Sequence, residues 1–136
     1  METNYTLIIV ASLVQFILGA LWYSPLLFGK VWMQIMEVTE MSKEQMQKMQ
    51  KEMTPFYGLQ FFLTLFSTFS LVNLAIFTPF SLYHVAFWIW LGFIVPTQIA
   101  GVIWGSTKKK FWFKQILIMV TYQLLGIMLG AFILSM

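Results

Sequence analysis

Three stretches free of formal charge decide what this chain can fold into. They run from Thr3 to Gly29, Thr54 to Thr107 and Gln115 to Met136, or 27, 54 and 22 residues. A helix rises about 1.5 Å per residue, so the first is roughly 40 Å of helix against a hydrocarbon layer of about 30 Å. The second is too long for one crossing and right for two. Thr78-Pro79-Phe80-Ser81 is the place for it to turn, because proline cannot continue a helix. The third allows one more crossing. The expectation is an all-α, integral membrane four-helix bundle, a single domain over residues 1–136, with spans near 5–27, 56–77, 82–104 and 113–135. Composition agrees. The chain is 60% hydrophobic and 10% charged, where a soluble domain carries about a quarter charged residues, and a soluble domain this small has too little interior to hide so much apolar surface. The first run has no basic leader and is too long for a cleaved signal peptide, so it is expected to remain as the first span.

The lysines set the topology. Lys30, Lys43, Lys48 and Lys51 lie between spans one and two, and Lys108, Lys109, Lys110 and Lys114 around the connection of spans three and four. Four crossings put all of them on one side, which the positive-inside rule makes the cytoplasm, with both termini outside. Trp22, Tyr23, Trp32, Tyr57, Trp104 and Trp112 then fall near the cytoplasmic interface, and Tyr5, Tyr83 and Trp88 near the outer one, where such amphipathic rings settle.

Residues 30–53 form the one soluble-looking segment, read as a short cytoplasmic amphipathic helix between spans one and two. Ser42 and Gln45 have the spacing of a capping box, and Met46, Met49 and Met53 follow at helical intervals. Its apolar edge is expected on the membrane surface or on the bundle, with Lys48 and Lys51, like Lys108, Lys109 and Lys110, at lipid headgroups. Six of the ten methionines lie between Met33 and Met53. Thioethers can hold Cu(I), but with no Cys in the chain and no His nearby, adaptable packing is the better reading.

Within the spans the polarity is neutral. Proton- and ion-coupled carriers usually keep an ionisable group near the midplane, and small four-helix multidrug exporters depend on an embedded Glu that is missing here. The amides Gln15, Gln60, Asn73, Gln98 and Gln123 are costly in hydrocarbon unless paired. Gln60, Thr64 and Ser67 share a face of span two. Thr97, Gly101 and Gly105 share one of span three, and Gly126 and Gly130 form a GxxxG pattern on span four. Helix packing through small residues and amide bonds is the leading interpretation, and a polar conduit or ligand pocket the alternative. His84 stands alone at the outer end of span three. No nucleophile, phosphate-binding or metal motif is present, Asp and Cys are absent, and so is Arg, the usual reader of phosphates and bases. Neither catalysis, a cofactor, a metal nor nucleic-acid binding is expected.

The most distinctive stretch runs from Gly19 to Trp32. Ser24-Pro25 disfavours further helix, Gly29 permits a turn, and Trp22, Tyr23 and Trp32 anchor it at the interface. It resembles the signature of a family of small membrane proteins, the domain of unknown function 1761 family. Gly19, Trp22, Tyr23, Ser24, Pro25, Gly29 and Trp32, and later Trp90, Gly92 and Phe93, match its pattern. The resemblance implies a four-helix membrane domain and no reaction. The expected role is that of a non-enzymatic multi-pass protein of the cell membrane, acting as a homo-oligomer or with another membrane protein. The alternative is a small transporter or channel for a neutral or hydrophobic solute, lined by the amides.

Overall fold

The computed structural model describes residues 2–136, whose regular elements are all helical, with no strand among them. Helix α1 spans Tyr5–Trp22, α2 Gly29–Ile35 and α3 Lys43–Ile76. Helix α4 spans Leu82–Ile103, and α5 Trp112–Leu134 after a 3₁₀ turn at Lys109–Phe111. Four of these helices are long and apolar enough to cross a membrane, the mark of a multi-pass membrane protein. At most 28% of the most apolar window of any of them is buried inside the chain, so most apolar surface faces outward.

Local chemistry fixes the helix starts. The Asn4 side chain accepts a hydrogen bond from the Leu7 N–H at 3.1 Å, and Ser81 accepts one from His84 at 3.3 Å. Before α3 the predicted capping box is present: the Gln45 N–H donates to the Ser42 hydroxyl at 3.2 Å and the Ser42 N–H to the Gln45 side chain at 3.0 Å.

Two boundaries differ from the sequence expectation. Helix α1 stops at Trp22 rather than 27, because Pro25 restricts Ser24 and the chain turns back at once. The N–H groups of Leu27 and Gly29 both reach the Ser24 carbonyl, at 3.1 and 2.9 Å. The capped stretch after Ser42 does not stop before span two either. It runs through Pro55 as one helix of 34 residues, about 51 Å long. The separate short helix between the first two spans is α2.

Helix α4 carries a π-helical turn at Trp90–Ile94, where the Val95 N–H bonds to the Trp90 carbonyl. It ends two residues before Pro96, whose missing N–H interrupts a regular α-helical ladder in any case.

Two buried clusters hold the ends of the bundle. At the end of the Thr78–Ser81 turn, Leu71 and Ala75 of α3 meet Leu82, Val85 and Ala86 of α4 and Ala131 of α5. At the other end, Trp22, Ile35 and Ile118 join α1, α2 and α5. The Trp22 indole N–H donates to the Ile118 carbonyl at 3.1 Å and that of Trp90 to the Val120 carbonyl at 2.8 Å, so tryptophans from two helices grip the same turn of α5. Replacing Trp22 by Phe is expected to cost about 1 kcal/mol in detergent unfolding, the net value of such a bond, while the helical bond to Ile118 persists.

Candidate functional site

Helix α4 meets α3 through its first turns, while its second half packs on α5. The space left between α3, α4 and α5, floored by α1, is a cavity of about 570 Å³. Small-molecule sites commonly fall in this size range. Its walls are apolar at Leu71, Ile89, Ile94 and Ile127, and polar at Gln15, Ser67, Thr68, Thr97, Gln98 and Gln123. At its edge, Phe66 and Phe93 are 63% and 72% exposed, which places the mouth on the outward flank of the bundle rather than in its centre. Gln123 is the midpoint of the 23 residues of α5, so the site lies at the middle of the apolar zone.

The amides of this region divide into two sets. Gln15 is engaged. Its Nε2 donates to the Thr68 hydroxyl at 2.9 Å and to the Ala11 carbonyl at 3.2 Å, while Thr68 donates to the Thr64 carbonyl at 2.8 Å. Gln98 and Gln123 have no hydrogen-bond partner among the described residues, and both line the cavity. An unpaired amide in an apolar setting costs a few kcal/mol, so these two are open to a ligand or to water that supplies the missing bonds.

The GxxxG pattern of α5 is occupied from within. A Cβ on Gly130 would stand 2.8 Å from Gln15 Nε2, and one on Gly126 3.9 Å from Gln15 Oε1. One turn along, a Cβ on Gly19 would lie 2.7 Å from the Tyr122 hydroxyl. The face of α1 that carries Ala11, Gln15 and Gly19 therefore packs against Tyr122, Gly126 and Gly130. Gly101 and Gly92 face open space, and Gly105, just past the end of α4, approaches the Gly101 and Val102 carbonyls of that helix. The helix contact predicted for Gly101 and Gly105 is thus not made within the chain, because the second half of α4 turns its small residues away from α5.

Gln60 and Asn73 do not reach the cavity. Gln60 is exposed, with a long 3.4 Å contact to Thr64 as its side-chain bond, and Asn73 donates to the Phe69 carbonyl at 2.8 Å. Of the five amides expected to line a conduit, three meet at one site. The sequence reading missed Gln115, which is buried on α5 with an unpartnered Oε1. It directly follows Lys114 and so reads as a helix end rather than an interior position.

The signature stretch has a structural meaning. A Cβ on Gly29 would meet the Ser24 and Tyr23 backbone at 2.6 Å, so the turn closes only around glycine. The Tyr23 ring packs against Trp32 and Tyr122, with centroids 4.9 and 5.6 Å away. The Ser24 hydroxyl donates to the Leu21 carbonyl at 2.7 Å. Pro25 starts the turn, and Trp90 bonds α5. Gly92 lies in the π turn, and Phe93 at the cavity mouth.

Both lysine-bearing connections lie at one end of the bundle, since Lys108 pairs with Glu37 across them at 2.6 Å. Glu37 closes α2 with φ 59°, a left-handed position that glycine usually fills. The N–H groups of Glu37 and Val38 cap the Gln34 and Met33 carbonyls at 3.2 and 3.1 Å. The hydrogen bond and charge of Lys108 hold the Glu37 carboxyl below the usual carboxylate range. Such a lowered value makes the pairing fully present above the ordinary carboxylate range and lost as pH falls through the folded-state value. Protease cleavage of residues 36–42 is expected to accelerate only on that acid side, and in Glu37→Gln at every pH. Of the other lysines expected at headgroups, Lys109 is exposed, Lys110 lies over the Phe111 ring at 4.9 Å, and Lys48 and Lys51 are exposed on the N-terminal part of α3. His84 is stacked on Phe80 and accepts the Trp88 indole N–H at 3.1 Å.

Among the described residues no three His, Cys, Asp or Glu side chains gather as a metal site would require. A family model described as "Protein of unknown function (DUF1761)" matches residues 6–135. No curated protein and no solved structure matches the chain.

Proposed function

Because the chain belongs to the DUF1761 family of proteins of unknown function, whose description names no activity, its role has to be read from the cavity. We propose that it binds, and passes laterally or across the bilayer, a neutral solute with an apolar body and a head that both donates and accepts hydrogen bonds. The observation that carries this reading is the pair of unpartnered amides, Gln98 and Gln123, facing a 570 Å³ space whose other walls are largely apolar. A primary amide offers two N–H donors and a carbonyl acceptor, so two of them complement a head of mixed character. No formally charged side chain lines the cavity, and an ion there would lack a counter-charge in a low-dielectric site, which selects for neutral solutes. The role is non-enzymatic, with the lipid bilayer as the surroundings. The lysine-bearing end lies in the cytoplasm and both termini outside, by the positive-inside rule.

Gly126 and Gly130 serve a contact within the chain, since Gln15 occupies that face. Assembly needs another surface.

The test uses the full chain in lipid nanodiscs and two probes of equal chain length, a long-chain primary amide and the matching alkane. Saturable binding of the amide, at least about tenfold tighter than the alkane, is the expected result, because one good hydrogen bond supplies about that factor. Equal binding of the two would remove the amides from the reading.

A further inference from the structure

Helix α3 has an arm without a partner. Every residue from 51 to 60 is exposed, although the stretch includes Met53, Phe56 and Tyr57. Along the same helix, Met46, Met49, Met53, Phe56, Gln60 and Leu63 follow at alternating intervals of three and four, the spacing of a coiled-coil seam with Met46, Met53 and Gln60 at a and the others at d. In a helix that crosses the membrane and continues in line, this stripe cannot lie flat on the lipid surface.

We propose that the chain forms a parallel homodimer through this stripe of α3, the second copy's α3 packing along it. Three observations favour a second copy as the occupant. First, the charges are placed for self-association. Lys48 takes position c and Lys51 position f, both off the seam, so two copies approach without stacking these lysines. Second, the flanking positions pair without like charges. Position g of one copy faces the following e of the other, which sets Gln45 against Gln50 and Glu52 against Tyr57, a carboxylate against a hydroxyl donor. Third, Gln60 sits at a with its long 3.4 Å contact to Thr64, leaving amide capacity outward. Across a twofold axis two glutamines supply each other's donor and acceptor, which joins helices and fixes their register. Parallel orientation follows because both copies enter the bilayer the same way, so their axis runs along its normal. The next positions at the same spacing, Ser67 and Ser70, line the cavity, so the contact ends where the cavity opens. The dimer does not depend on the cavity binding any solute.

The chain has no Cys, so single-cysteine variants report cleanly. Met49→Cys, Met53→Cys and Phe56→Cys in the full chain, reconstituted in vesicles and mildly oxidised, are expected to give disulfide dimers in about tenfold higher yield than Lys48→Cys and Lys51→Cys, because seam positions bring Cβ atoms near bridging distance and positions c and f do not. Gln60→Leu is expected to lower the crosslinking of Met53→Cys. Equal yields across the five positions, highest yields at Lys48→Cys or Lys51→Cys, or monomers alone at every position would overturn the dimer.

Discussion

Gly29→Ala is expected to lower the stability of the folded chain by about 3 kcal/mol, the upper end of the cost of inserting a methyl into filled space. The reason lies in what the new methyl would meet. Its Cβ would stand 2.6 Å from the Ser24 carbonyl carbon and oxygen and from the Tyr23 oxygen, all main-chain atoms. A side chain can swing aside, but this backbone is pinned by the Ser24–Pro25 turn and by the Gly29 N–H, which bonds the Ser24 carbonyl at 2.9 Å. Relief requires the turn to open, and the turn sets Trp22, Tyr23 and Trp32 in place. Gly19→Ala and Gly130→Ala provide the comparison. Their methyls would meet the Tyr122 hydroxyl and the Gln15 amide, the free ends of side chains that can rotate. Each is expected to cost about 1 kcal/mol, the low end of the same range. Unfolding of the three variants in mild detergent, followed by helical circular dichroism, ranks them. A Gly29→Ala variant as stable as Gly19→Ala would show that the turn is not closed around glycine.

The second large effect separates binding from stability. Gln98→Leu and Gln123→Leu are each expected to weaken binding of a long-chain primary amide about tenfold, the loss of one good hydrogen bond. The double variant should not lose the full product, since both amides serve one ligand. Stability is expected to hold or rise, because an unpartnered amide is exchanged for an apolar side chain of similar size. Gln15→Leu should behave in the opposite way. It removes the 2.9 Å bond to Thr68 and sets branched methyls where the flat amide fits closely against Gly130, so stability falls. Equilibrium binding and thermal unfolding on the same samples distinguish the two patterns. If Gln98→Leu and Gln123→Leu destabilised the chain without changing binding, their amides would belong to the packing.

Much of this fold is visible in the sequence, because the bilayer leaves few options. Charge-free length marks four crossings, and the Thr78–Ser81 turn, the Ser42 capping box and the proline after Ser24 are local signals that need no tertiary context. What sequence does not reveal are relations between helices. That Gln15 reaches Thr68 and covers Gly130 follows from how α1 lies between α3 and α5, and periodicity along one helix cannot supply that. The continuity of α3 through Pro55 is also hidden, since the shift from charged to apolar residues there reads as a boundary. The cavity depends on α4 leaving α3 along its second half, near the π turn and Pro96, and a lone proline gives only a weak sign of it. For the same reason Gln60 and Gln98 look equivalent in sequence and differ in the structure.

The most direct measurement is a structure of the full chain in lipid nanodiscs with the long-chain primary amide present. The predicted result is the amide head between Gln98 and Gln123, its tail leaving past Phe66 and Phe93. A cavity closed by the chain's own side chains, with Gln98 and Gln123 bonded to protein groups and the amide elsewhere, would contradict it.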